Sequence, residues 1–237
     1  MDITPELWRD ISKIFREKVK SDRSLRQLYN LISAGKATYQ DAQTFAIKIG
    51  GHSGAALEAV LKANRLPDGK LYWNIAQGTI GRSARRDFDL IADATAQIQA
   101  TLNTEAGLGL KAVRPQYDSK RVESLMNRIV SSETIDDVKW AFRDPITHLC
   151  QSVVDDFVHE NAGQQARAGM SPQIIRTAEA TACPWCQSMA GTYDYDDVRD
   201  RGSEVYSRHN NCRCTITYVP RAGVYSLMRA SGHSFQR

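Results

Sequence analysis

Four of the chain's five cysteines stand in two tight pairs, Cys183-Pro184-Trp185-Cys186 and Cys212-Arg213-Cys214, with His209 just ahead of the second. Thiolate sulfur and imidazole nitrogen are the donors zinc prefers, and a C-x2-C turn aims two sulfurs at one point. In Cys212-Arg213-Cys214, strand alternation sends both sulfurs to the same face. Five donors then compete for four corners of a tetrahedron. Four thiolates with His209 behind them satisfy it, and so do three thiolates with His209 itself. Either set gives a structural zinc site that closes two loops with little apolar core of their own. In small modules such a site contributes on the order of 10 to 16 kcal/mol. Trp185, between two ligands, is expected to project outward as an exposed partner-binding anchor.

Rival chemistries use the same residues. Cys183 and Cys186 have the spacing of a thiol-disulfide oxidoreductase, which wants its first cysteine at a helix N-terminus in a βαβ setting. The region ahead of Cys183 reads as helical instead. A small metal-dependent nuclease built on His209, Asn210 and Asn211 is the other alternative, but it lacks a second catalytic histidine or asparagine at a suitable helix position. An odd, clustered set of cysteines does not resemble the disulfide framework of a short secreted chain. Cys150 reads as a buried small hydrophobe. His148 and His159 read as surface helix residues, His52 falls in a glycine loop, and His233 in the tail. Trp8, Trp73 and Trp140 read as core or partner-facing. Asp194, Asp196 and Asp197 lack the patterned oxygen ligands of a calcium loop.

The elements that position these residues are read from apolar spacing and capping signals. The chain has 237 residues, 42% hydrophobic and 24% charged, so it can bury a true core. Thr4-Pro5 opens a helix with Leu7, Ile11, Phe15 and Val19 on one face. A second carries Leu25, Leu28, Leu31 and Ile32 and stops at Gly35. Thr38 to Asp41 resembles a capping box, and it leads into Phe45, Ile47 and Ile49. Gly50-Gly51-His52-Ser53-Gly54 is expected to interrupt the helix before a further one from Ala55 to about Leu66. Pro67-Asp68-Gly69 is a turn. From Ser83 an amphipathic helix carries Phe88, Ile91, Ile98 and Leu102. Arg82, Arg85 and Arg86 form its solvated start, with modest room for contact with DNA phosphates or an acidic partner.

Gly107 to Pro115 breaks the helical rhythm. Another helix covers about 118 to 130, and Thr134 with Asp137 caps a long one carrying Ile135, Val138, Phe142, Ile146, Leu149, Val153 and Phe157. Pro145 either kinks that helix or opens a restart capped by Asp144. Short β-like runs follow at Ile174 to Thr177, Gly191 to Tyr193 and Thr215 to Val219. The expected fold is mainly α, a multi-helix N-terminal body with a small C-terminal α+β zinc-knuckle module. It divides into a helical region 1–106, a hinge 107–117, a long-helix region 118–169, the knuckle 170–220 and an arm 221–237.

A net charge of +4 is too mild to announce a nucleic-acid binder. No apolar run approaches the roughly 20 residues of a membrane span. The acidic start Met1-Asp2-Ile3-Thr4-Pro5-Glu6 is unlike a secretory signal, and the expectation is an intracellular product.

The stretch from Thr181 to Tyr193, followed by Arg208-His209-Asn210-Asn211-Cys212-Arg213-Cys214-Thr215, resembles the signature of tailed-phage minor head proteins of the Mu F-like, or head morphogenesis, family. Its pattern is a C-x2-C followed by a small-Gly-aromatic stretch, then H-x2-C-x-C running into a strand. The match covers roughly the last quarter of the chain; the helical region agrees only in general character. The resemblance implies a non-catalytic virion protein present in few copies and associated with the portal. It would act in head assembly and in DNA retention or ejection. Portal, capsid and scaffold proteins are its implied partners, with packaged DNA as a further one. Its implied location is the phage head, reached from the host cytoplasm during assembly.

Overall fold

The computed structural model describes residues 2–200, 202–209 and 212–219. The arm expected over 221–237, with His233, lies outside the described residues, as do Asn210 and Asn211. The chain forms two compact units: Met1–Ile98 with Gln116–Val154, and Gln99–Pro115 with Asp155–Arg237.

In the first unit, α1 (Thr4–Ser21) has Pro5 in its first turn and buries Leu7, Ile11 and Phe15. Helix α2 (Arg23–Ser33) buries Leu25, Leu28 and Ile32. Leu31, which the sequence put on the same stripe, is 37% exposed, because the 3.6-residue period turns it off that face. Gly35 ends the helix at φ 64°, the left-handed geometry glycine adopts without strain. Helix α3 (Tyr39–Val60) begins with the expected capping box, in which the Thr38 amide donates to Asp41 Oδ2 at 2.8 Å.

Helix α3 is unbroken through Gly50–Gly54, contrary to the interruption expected there. These glycines serve close packing rather than a turn. A Cβ at Gly50 would stand 2.7 Å from Thr147 Cα, and one at Gly54 would overlap the Phe142 carbonyl. Gly54→Ala is therefore expected to destabilise the first unit by about 3 kcal/mol, the upper range for overpacking, seen as a lower urea midpoint at unchanged slope.

The continuous helix also places His52 and Lys48 one turn apart, facing Asp22. His52 is thus not in a loop: its Nε2 lies 2.9 Å from Asp22 Oδ2, and Lys48 Nζ lies at 3.3 Å. The other oxygen of Asp22 caps α2, accepting from the Ser24 and Leu25 amides at 2.9 and 3.1 Å. Burial opposes ionisation of Asp22, but Ser24, Leu25, His52 and Lys48 together hold its carboxyl far below the usual range. A depressed carboxyl stabilises the fold above its unfolded pKa of about 4 and loses that contribution as pH falls further. Asp22→Ala should cost about 1–2 kcal/mol at pH 7, the range for a lost N-cap. The variant's stability should also fall less steeply below pH 4 than the wild type's.

Pro67-Asp68-Gly69 turns as expected, with Asp68 and Gly69 both at positive φ. Helix α4 (Trp73–Ala76), a π-helical turn (Gln77–Gly81) and α5 (Arg82–Glu105) then follow without a break. The arginines are thus not at a helix start, and their side chains diverge. Arg85 is exposed and pairs with Asp89. Arg86 is not solvated as expected: its guanidinium lies 3.4 Å from the Phe15 ring centroid and donates to Ser53 Oγ at 3.0 Å and Asp87 at 2.8 Å.

Helix α6 (Ser119–Val130) precedes the Thr134–Asp137 box, which forms but opens a 3-10 segment, Asp136–Phe142. Helix α7 (Asp144–Arg167) is a restart with Pro145 in its first turn, where proline's missing N–H costs nothing. Most of the apolar stripe is buried, from Ile135 and Val138 through Phe142, Ile146, Val153 and Phe157.

In the second unit the stretch from Gly107 to Pro115 is non-helical and fastened. Asn161 on α7 brackets Val113, accepting from its amide at 2.8 Å and donating to its carbonyl at 2.9 Å. The three β-like runs form one antiparallel sheet: β1 (Gln173–Thr177) in the centre, flanked by β2 (Gly191–Asp194) and β3 (Thr215–Val219). Ile174 pairs with Tyr193 on one side and Tyr218 on the other. Short helices α8 (Pro184–Ser188) and α9 (Tyr195–Val198) lie on either side of β2 in the sequence. The Tyr218 hydroxyl accepts from Gln99 at 2.6 Å and Gln165 at 3.0 Å, tying β3 to the unit's helical residues. The fold is mainly helical with this small C-terminal sheet, as the sequence indicated. Among the described residues, no helix is long and apolar enough to cross a membrane.

Candidate metal centre

Two loops bring the donors together. The first is the turn into α8, where Cys183 is the N-cap and its sulfur accepts the Cys186 amide at 3.4 Å. Proline follows Cys183 and fixes the backbone of the first turn, so both sulfurs emerge on one side. The second loop runs into β3. His209 accepts the Cys212 amide on its carbonyl at 3.0 Å, a turn that swings the ring back toward α8.

All five expected donors meet there. Nε2 of His209 is 3.2 Å from Cys183 Sγ and 2.9 Å from Cys186 Sγ, and Cys186 Sγ is 3.8 Å from Cys212 Sγ. The donors fall into two overlapping groups, Cys183–Cys186–His209 and Cys186–Cys212–Cys214, with ligand atoms inside each within 4.8 Å of one another. Cys186 belongs to both. Thiolates about 2.3 Å from a tetrahedral zinc stand about 3.8 Å apart, the separation seen for Cys186 and Cys212. The five donors line one cavity of ≈ 400 Å³, with Glu179, Thr181 and Arg213 also on its wall. All five cysteines are free thiols, Cys150 among them. In donor type, spacing and available room, this cluster can hold a metal ion.

A family model, VG15 protein, matches residues 77–227, more than half of the chain. The chain belongs to the VG15 protein family. VG15 is a viral (phage) family, and the match takes in both cysteine loops and the whole sheet. No curated protein and no solved structure matches the chain.

The thiols of this VG15 protein's cluster differ in how readily they ionise. Burial pushes the Cys186 thiol up to about 12, and burial also raises Cys214. Burial works against the Cys212 thiolate too, but the Cys214 amide and the Arg208 charge outweigh it and bring that thiol below its ordinary value. Buried neutral thiols are poor nucleophiles but give up their protons to a metal.

Trp185 departs from the outward anchor expected of it. It is half-buried, with its ring 5.7 Å from that of His209 and the Arg176 guanidinium 5.1 Å from its centroid. Its ring packs against the buried Cys186, Cys212 and Cys214. His159 is partly covered, its Nε2 2.8 Å from the Arg199 carbonyl oxygen. Asp196 and Asp197 sit in the first turn of α9.

Two arginines of the site escaped the reading of the sequence. Arg208 donates two hydrogen bonds to Asp155, at 2.9 and 2.8 Å, and a third to the Cys214 carbonyl at 2.6 Å. Arg176 is 1% exposed on β1, against the cluster. For Arg176 a signal existed: alternation from Ile174 puts it on the same inward face of the strand. For Arg208 and Asp155, 53 residues apart, nothing in the sequence links the two.

Proposed function

We propose that this VG15 family member is a minor head protein of a tailed phage, of the Mu F-like head morphogenesis type. In this reading it sits beside the portal and acts in head assembly and in DNA retention or ejection. Portal, capsid and scaffold proteins are its partners, with packaged DNA as a further contact. It reaches the virion from the host cytoplasm.

The observation that carries the reading is the convergence of five zinc-type donors from two loops, in a chain of a viral family. Cys183, Cys186, Cys212, Cys214 and His209 supply the ligands of a structural zinc, and the metal's contribution is to fasten the two loops to one another. Cys186 and Cys212 lie inside the protein, each 1% exposed, which suits a permanent staple better than a thiol that must meet a substrate.

The test is co-expression with the portal gene of the same phage. The expected result is co-purification with portal and a few copies per particle by quantitative mass spectrometry of virions. A chain absent from purified virions overturns the proposal. Insulin reduction and DNA cleavage assays are expected to be blank, and robust turnover in either would establish an enzyme instead.

A further inference from the structure

The buried cation on β1 is short of one thing a buried cation needs. The Arg176 Nη1 donates to the Val205 and Ser207 carbonyls, the latter at 2.8 Å. Its Nη2 points at two sulfurs, Cys186 at 3.8 Å and Cys212 at 3.9 Å. Its Nε has no hydrogen-bond partner, and no carboxylate pairs with the guanidinium among the described residues. Arg208, the other buried arginine of the site, differs: Asp155 neutralises it in a two-pronged pair.

A guanidinium closed off from water without a counter-charge is strongly disfavoured. Protonated thiols offer none. A divalent ion held by three thiolates and a histidine carries a net charge of −1, and one held by four thiolates carries −2. Either centre supplies the missing anion at the place where Nη2 already points. The two sulfurs it addresses come one from each loop, Cys186 from the α8 turn and Cys212 from the segment entering β3.

We propose that Arg176 is the counter-charge and positioning residue of the metal centre, bridging one ligand sulfur from each half-site. This rests on the reading of the cluster as a metal centre. The guanidinium lowers the cost of collecting thiolates around one ion and fixes the distance between the two loops. The central strand of the sheet thereby responds to whether metal is bound.

The experiment uses the full chain as wild type, Arg176→Gln and Arg176→Lys. Zinc affinity is read by competition with a chromophoric chelator, and cobalt substitution reports thiolate ligation through its sulfur-to-metal charge-transfer band. Arg176→Gln is expected to weaken zinc binding by about 10- to 100-fold, the usual range for residues that support ligands without touching the metal. Arg176→Lys, which keeps the charge, should lose less. In the metal-stripped chain, whose sheet and loops have lost what fastens them, Arg176→Gln should change stability little.

Wild-type affinity in Arg176→Gln overturns the proposal, and so does an equal loss of stability with and without metal, which marks a merely structural arginine. So does a loss in Arg176→Lys as large as in Arg176→Gln. Should Arg176→Gln not fold, Arg176→Lys decides alone: affinity within about threefold of wild type supports the charge, and a larger loss overturns it. A wild-type chain that takes up neither zinc nor cobalt sinks the metal reading itself, a result distinct from all of these.

Discussion

Cys186→Ser is expected to abolish stoichiometric zinc and to unfold the sheet with both cysteine loops. Cys186 is the donor common to both ligand groups, so its loss breaks both of them at once. Structural zinc contributes on the order of 10 kcal/mol or more in small modules, as much as the whole stability of an ordinary domain. The β-strands should therefore lose protection from amide exchange while most helical ellipticity persists. Cys150→Ser is the control. Cys150 is buried beside Gly50 and belongs to neither ligand group, and burial holds its thiol well above the ordinary value. That variant should keep its zinc. Metal content by elemental analysis and hydrogen exchange on the two variants check both outcomes.

Asp155→Ala comes next in expected size. The Arg208–Asp155 pair is nearly closed off from water, with side chains 6% and 8% exposed. Deleting the carboxylate leaves a guanidinium buried without its partner, a change that costs about 3–5 kcal/mol. Arg208 directly precedes His209 and also holds the Cys214 carbonyl, so the damage should reach the metal loop. The expected result is a lower melting temperature together with faster loss of zinc to chelator. Replacing both members with apolar residues of similar volume should recover most of the stability, because it removes the stranded charge along with the pair. A single variant as stable as wild type would show that Arg208 finds water or another acceptor.

Local patterns carried most of the fold. The α1 stripe of Leu7, Ile11 and Phe15, the Thr38–Asp41 capping box and the three short β runs each depend on neighbours within a few residues, and all are where the sequence indicated. The glycine cluster at 50–54 misled because glycine has two uses. It loosens a backbone, and it lets another backbone come close. Only the position of Thr147 and Phe142, nearly a hundred residues on, tells which applies. The arginines from 82 to 86 misled for a related reason: π-helical continuity from Gln77 removed the helix start their reading assumed. At the site, ligand types and spacings were plain in the chain, since a metal dictates both. The charges around it were not, because Arg176 and Arg208 find partners through tertiary packing, without a spacing rule.

The order of the ligands along the chain has a consequence for synthesis. Cys212 follows Cys186 by 26 residues, so at about 5–20 residues per second a nascent chain carries the first thiol pair for roughly one to five seconds before the second half-site exists. During that interval Cys183 and Cys186 lack the donors of the second loop, and an oxidising environment would trap them as a disulfide that no later zinc can enter. Recombinant production under reducing, zinc-supplemented conditions should accordingly yield a larger fraction of loaded protein than metal added after an oxidative purification.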